Sequence, residues 1–296
     1  MEKDAARFHV APVAADLDLN GKDRPPRVAA GIVFSAYGVR VGIRVNQPDV
    51  LAQLPDYLPY GWKPAASPIV DGLYSLVVGG AGPRPGMRRF HLLYGGSNKL
   101  VRSMDLNEVF TVLGEDLQLS IGAEARTRLF VHAGVVGWQG RAILIPGRSF
   151  SGKTSLIAAL VRAGATYYSD EYALLDARGR VHPYPRALSI RAASDGPPRR
   201  FSAEELGGVA GVAPLPVGLV LATTYRPGAR WRPRRFSAGQ AVLTLFANTL
   251  PARRRPAVAL RILSQAVGGA LALKGVRGDA EELAGSLLNS LDRLTA

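Results

Sequence analysis

Residues 147–154 read Gly-Arg-Ser-Phe-Ser-Gly-Lys-Thr. A compact apolar run, residues 142–145 (Ala-Ile-Leu-Ile), precedes them, and a helix-forming run, residues 155–161, follows. Strand, glycine-bounded loop, Lys-Thr and helix in that order make a phosphate-binding P-loop. The spacing follows from the chemistry. Backbone N–H groups of the loop and of the helix N-terminus converge on one point and favour an anion there. Lys153 can reach the β- and γ-phosphates of a nucleotide. The Thr154 hydroxyl can sit on Mg²⁺, which keeps several waters and needs few protein ligands.

Downstream, residues 165–176 (Ala-Thr-Tyr-Tyr-Ser-Asp-Glu-Tyr-Ala-Leu-Leu-Asp) predict a strand that carries two adjacent acids. Asp170 and Glu171 follow Lys153 by 17 and 18 residues. In P-loop folds a neighbouring strand ends in an acid that holds the metal directly or through water. Two adjacent acids divide the labour: one carboxylate takes a proton from an attacking hydroxyl while the other orders the metal shell. A solvated acidic turn is the plain alternative. Upstream, His132 lies in the strand before the loop strand. Taken alone it reads as a structural strand histidine.

The surrounding pattern predicts a strand pair, residues 128–138 and 142–145, joined by the tight turn Gly-Trp-Gln-Gly. The helix after the loop ends near Ala163, with Gly164 as its left-handed cap. A continuous apolar strand at 217–224 reads as central. A basic loop at 226–235, helices at 238–248 and 257–267, a strand at 271–276 and an amphipathic helix at 279–294 complete this part. Ahead of it, residues 1–28 are irregular. Strands are expected at 28–36, 38–45, 72–78, 88–94 and 99–103; in 38–45 Val and Ile alternate with Arg and Gly. A short helix is expected at 49–54, then a proline-rich loop to residue 68. Asp105 and Glu108 stand three apart as a capping box opening a helix to about residue 121. His9 and His91 stand alone. The expected organisation is a small α+β domain with an antiparallel sheet over residues 1–122, and an α/β domain over 123–296.

A chain of 296 residues suits one large domain or two. With 47% hydrophobic and 20% charged residues it has ample material for a core. The count of cysteines is 0, which excludes disulfides, a thiolate nucleophile and a Cys-based metal site. No apolar run approaches the ~20 residues of a membrane helix, and the first residues lack a signal-peptide apolar region. The expectation is a cytoplasmic protein with no membrane partner. The net charge of +14 suits anionic ligands. The arginines are scattered and rarely alternate with aromatics, which argues against nucleic acid.

The segment from His132 to Glu171 resembles the catalytic core of HPr kinase/phosphorylase and its divergent relatives. That family carries a His, a strand-turn-strand, a P-loop, a helix ending in Gly and a pair of acids. Here the order is His132, Gly140, Gly147, Gly152-Lys153-Thr154, Gly164 and Asp170-Glu171. The resemblance spans residues 127–190 and implies an α/β P-loop kinase domain of the HPr kinase/phosphoenolpyruvate carboxykinase type. It implies ATP as donor and Mg²⁺ as cofactor, with Asp170 as general base toward an acceptor serine and Lys153 on the phosphates. His132 sits at the family's active-site histidine, and only the resemblance gives it a role. Nucleotide contacts would come from Gly147, Arg148, Ser149, Phe150, Ser151, Gly152, Lys153, Thr154 and Ser155, and metal ligands from Thr154, Asp170 and Glu171.

There are departures. Phe150 replaces an inner Gly of the usual loop, Glu171 replaces an Asp, and Ser155 stands where Glu is usual. The run around Arg186 (Pro-Arg-Ala-Leu-Ser-Ile-Arg) echoes a downstream motif without its metal-holding Glu. The family's downstream catalytic arginine has four candidates: Arg226, Arg253, Arg254 and Arg255. The implied activity is transfer of the γ-phosphoryl group to a hydroxyl, a serine of a peptide or protein, by a homo-oligomer. Two alternatives stay open: a P-loop nucleotide hydrolase or nucleotide-sensing module without an acceptor, and a small-molecule kinase acting on free serine.

Overall fold

The computed structural model describes residues 29–80, 89–147, 151–190 and 199–295. The expectations for Arg148, Ser149 and Phe150, for His9 and for residues 191–198 lie outside these. The chain divides into two compact units, Met1–Arg126 and Thr127–Ala296.

The first unit holds β1 (Ala30–Ala36), β2 (Val39–Val45), β3 (Lys63–Pro64), β4 (Gly72–Val77), β5 (His91–Gly95), β6 (Asn98–Ser103) and α1 (Leu106–Glu124). Its sheet runs in the order β3-β1-β2-β4-β5-β6. Four neighbouring pairs are antiparallel, but β2 and β4 are parallel. The fully antiparallel sheet expected from the sequence is therefore corrected to a mixed one. The cause is the long connection between β2 and β4, which contains a 3₁₀ run at Pro48–Tyr57. A connection of that length can return the chain in the same direction, which a tight hairpin cannot.

Val109, Phe110, Leu113, Leu117 and Ile121 of α1 recur at three- and four-residue spacing and are buried with Phe34, Ile43, Leu76 and Leu93 of the sheet. The helix start differs from the expected capping box. Asp105 accepts from the Asn107 N–H at 2.9 Å. Glu108 instead accepts from the Ser103 hydroxyl, whose oxygen accepts from the Asp105 N–H at 3.0 Å. His91 is structural: its Nδ1 accepts from the Gly79 N–H at 3.1 Å. Arg126 closes the unit, donating its backbone N–H to Tyr37 and pairing its guanidinium with Asp71 at 2.8 Å.

The second unit contains, in chain order, β7 (Leu129–Trp138), β8 (Arg141–Pro146), α2 (Lys153–Arg162), β9 (Thr166–Ser169), β10 (Tyr172–Leu175), β11 (Val181–His182), β12 (Leu188–Ile190), β13 (Arg199–Phe201), β14 (Val217–Tyr225), β15 (Arg234–Arg235), α3 (Ala238–Phe246), α4 (Pro256–Val267), β16 (Leu271–Arg277) and α5 (Ala280–Thr295). Its main sheet runs β11-β10-β7-β8-β14-β16-β15, with β9 also paired to β7. The strands β8, β14 and β16 are parallel neighbours.

Both faces of this sheet are covered. Along β8, Ala142 and Leu144 pack with residues of α3 and α4, while Ile143 and Ile145 pack with residues of α2 and α5. A strand buried on both faces is apolar without alternation, which is why Ala-Ile-Leu-Ile reads as a continuous run. Each such fully buried Ile or Leu contributes about 1.5–3 kcal/mol. The β7–β8 hairpin turns at Gln139 (φ 48) and Gly140 (φ 72), the left-handed pair that a two-residue turn requires. At Gly134 an added Cβ would lie 2.8 Å from Ile157 Cγ1, so this glycine lets α2 pack directly onto β7. The end of α2 is a Schellman motif: Gly164 N–H donates to Val161 O and Ala165 N–H to Leu160 O, both at 3.0 Å.

Candidate active site

The site is built at the C-terminal end of β8, where the parallel part of the sheet switches direction. From β8 the chain crosses through α2 to β9 on one side of the sheet. On the other side of β8 stands β14, which crosses through α3 and α4 to β16. Open α/β sheets bind ligands at such points, outside the carboxyl ends of the strands.

Strand register brings the predicted residues to one level. Gly147 N–H donates to His132 O across the sheet, and His132 stands opposite Tyr172. Ala133 N–H donates to Glu171 O at 3.1 Å. Between β9 and β10 the pairing with β7 breaks at Asp170 and Glu171, and the Ser169 hydroxyl accepts from the N–H groups of Glu171 and Tyr172 at 3.1 and 3.0 Å. A break in strand pairing re-aims side chains. Here both neighbouring acids act electrostatically on Lys153, which strict strand alternation would not favour.

Lys153 opens α2 and is only 7% exposed. Its Nζ donates to Gly147 O at 2.7 Å, closing the loop on itself. Burial pushes its ammonium below the ordinary lysine range, and the charges of Asp170 and Glu171 oppose that shift. Thr154, the next residue, donates its hydroxyl to Asp170 Oδ2 at 3.0 Å. Asp170 Oδ1 lies 3.0 Å from the Tyr167 hydroxyl, which is also 2.7 Å from Arg186 O. Burial pushes the Asp170 carboxyl above its usual range, partly offset by the hydrogen bonds from Tyr167 and Thr154. Glu171 is more exposed and pairs with Arg186 at 3.6 Å. The structure thus brings Lys153, Thr154, Asp170 and Glu171 together. Gly147, Ser151 and Gly152 stand in the loop beside them.

His132 also reaches this group. Its ring centre lies 5.7 Å from that of Tyr172. Burial, reinforced by the Lys153 charge, pushes its imidazole down to about 4. A histidine with so low a proton affinity is neutral at pH 7 and is a weak base. Of the candidate proton acceptors, Asp170 is the one whose proton affinity is raised by burial. The His132 shift has a stability consequence. The folded chain resists protonation between pH 6.5 and about 4, while the unfolded chain takes up the proton. Stability therefore falls as pH drops through this window, by up to about 3 kcal/mol. Denaturant unfolding of wild type and His132→Gln at pH 7 and pH 4 is expected to show a smaller acid loss in the variant; equal losses would contradict the assignment.

The oxygen atoms of Thr154, Asp170 and Glu171 are hard donors of the kind Mg²⁺ takes. Among the described residues no group of three or more His, Cys, Asp or Glu side chains forms a ready-made metal cage.

One member of the site carries no sequence signal. Arg277, the last residue of β16, is 2% exposed and donates from Nη2 to Gly152 O at 2.8 Å. Of the four arginines considered from the sequence, Arg226, Arg253 and Arg254 are exposed and Arg255 is half-buried; the Arg226 N–H donates to Arg277 O at 2.8 Å. Nothing near Arg277 in sequence marks it, because its contact with the loop is made 125 residues away. No helix among the described residues is long and apolar enough to cross a membrane.

No protein-family model matches this sequence, and no curated protein matches it. Among solved structures the chain has a distant likeness to the Hpr(Ser) kinase/phosphatase from Coxiella burnetii. The identity is 12% and the TM-score 0.34, over 56% of this chain and 99% of that one.

Proposed function

We propose that this protein is an ATP- and Mg²⁺-dependent kinase that transfers the γ-phosphoryl group to a hydroxyl, a serine of a peptide or protein. The observation that carries this reading is the Thr154–Asp170 hydrogen bond of 3.0 Å beside a buried Lys153 at the end of β8. That arrangement puts a phosphate-seeking cation, a metal-seeking hydroxyl and a proton-accepting carboxylate at one point.

In this reading the loop N–H groups and Lys153 hold the triphosphate, and binding supplies position and charge stabilisation. The acceptor oxygen forms a bond to the γ-phosphorus as the bond to the bridging oxygen of ADP breaks. Asp170 takes the proton of the hydroxyl. Its burial raises its proton affinity above the ordinary carboxylate range, so it is a stronger base than an exposed carboxylate. Tyr167 and Thr154 fix its orientation. Mg²⁺, held through Thr154, Asp170 and Glu171, would neutralise the phosphate oxygens when bound. His132, neutral beside Lys153, acts as a polar wall rather than a base. Arg226, Arg230, Arg232, Arg234 and Arg235 are exposed on the segment leaving β14. This basic run is suited to an acidic or phosphorylated partner.

Incubation with Mg-ATP and serine-containing peptides, followed by mass spectrometry, tests the reading. Phosphoserine in a peptide is expected. ATP turnover that leaves every hydroxyl acceptor unmodified, free serine included, would replace transfer by hydrolysis. Phosphorylation of free serine alone would make the acceptor a metabolite.

A further inference from the structure

Among the described residues, two buried side-chain polar atoms lack a hydrogen bond: Ser151 Oγ and Arg277 Nε. Both lie at the phosphate loop. Buried polar atoms are nearly always paired, so two orphans at one place mark a missing partner. Arg277 Nη1 donates to Gly278 O at 3.0 Å and Nη2 to Gly152 O at 2.8 Å. Both acceptors are neutral carbonyls. The guanidinium lies against the Tyr225 ring, 5.3 Å from its centre, and makes no ion pair with a carboxylate of the described residues. The Asp279 carboxylate acts on its charge without reaching ion-pair distance, and a buried cation without a close anion is costly.

The geometry gives the direction of the missing partner. Nε–H and Nη2 share one edge of the planar guanidinium, the edge that grips anions in a fork. Nη2 already touches the loop at Gly152 O, so the adjoining Nε–H lies beside the loop. Gly152 is shaped for this approach: it has φ 79, and a Cβ there would lie 2.5 Å from Arg277 Nη2. Strand order agrees. Tyr225 and Arg277 end the parallel strands β14 and β16 in register, on the sheet edge where β8 delivers the loop.

We infer that Arg277 is a phosphate ligand of this site, its Nε–H completing, with Lys153 and Ser151, the set of groups that grips the anion at the loop. The inference rests on the loop being a triphosphate site, and it adds a second buried cation supplied from another strand. The purely structural alternative makes Arg277 only a clamp on Gly152 O.

Titration of the full chain with inorganic pyrophosphate, read as affinity and as the shift in thermal unfolding, separates these. Wild type is expected to bind and to be stabilised. Arg277→Met keeps a long apolar side chain and removes the buried charge. It is expected to fold with stability near or above wild type without ligand, and to bind pyrophosphate about tenfold or more weakly, the weight of one charge-assisted hydrogen bond. Unchanged pyrophosphate affinity in Arg277→Met would overturn the inference and leave the loop reading intact. No binding by wild type would overturn both. Should Arg277→Met not fold, Arg277→Lys serves. It keeps the charge but cannot hold Gly152 O and the anion with one fork, so weaker binding is again expected and wild-type affinity would refute the role.

Discussion

Asparagine at position 170 is expected to lower phosphoryl transfer by about 10²–10⁴-fold, the usual contribution of a positioned general base, while ATP binding stays near wild type. The substitution is nearly isosteric. An amide oxygen can still accept from Thr154, and Tyr167 can still donate to Arg186 O. The fold and the loop are therefore retained, the proton acceptor is lost, and the Mg²⁺ is left to Thr154, Glu171, phosphate and water. The wild-type pH profile carries the same signature. Asp170 must be ionised to act, and burial raises its proton affinity. Activity should therefore rise with pH through a value above the ordinary carboxylate range, and this limb should vanish in the variant. Transfer by Asp170→Asn at wild-type rate would remove Asp170 from the role of base.

Alanine at position 153 is expected to weaken ATP binding and turnover together. The lost ammonium makes a charge-assisted hydrogen bond of about 1.5–3 kcal/mol, so affinity should fall roughly 10- to 100-fold. The contrast with Asp170→Asn is diagnostic: one variant loses the chemical step alone, the other loses the grip on phosphate as well. Calorimetric titration with Mg-ATP and steady-state turnover read the two effects separately. Wild-type affinity in Lys153→Ala would place the nucleotide elsewhere.

Much of this arrangement was legible in the sequence because it is local. The loop glycines, Lys153 and the Gly164 cap are set by short-range backbone demands, each within a few residues of its partner, and Thr154 is marked by following Lys153 directly. The apolar run of β8 reveals a strand covered on both faces. Asp170 and Glu171 were legible as a pair at a strand end. Their convergence on Lys153 depends on the break held by Ser169, which looks like any serine in the sequence.

Features made by long-range register were not legible. The parallel pairing of β2 with β4 depends on how a long connection returns, and nothing in either strand encodes it. The replacement of the Asp105–Glu108 box by a relay through Ser103 depends on where β6 delivers that hydroxyl. Arg277 looks like one more arginine in a basic chain. Only its burial and its approach to Gly152 set it apart. Scattered charge hides a functional arginine in a way that scattered acids, in a chain of net charge +14, do not.

The central claim is that the phosphate held at the Gly147–Lys153 loop passes to a hydroxyl activated by Asp170. Its most direct measurement is the fate of the γ-phosphate. Wild type and Asp170→Asn are each incubated with Mg²⁺, γ-labelled ATP and a pool of serine-containing peptides, and the label is partitioned between peptide and orthophosphate. The account predicts label esterified to peptide serine with wild type, and almost none with the variant although it still binds ATP. Label recovered wholly as orthophosphate with wild type, across all acceptors, would contradict it.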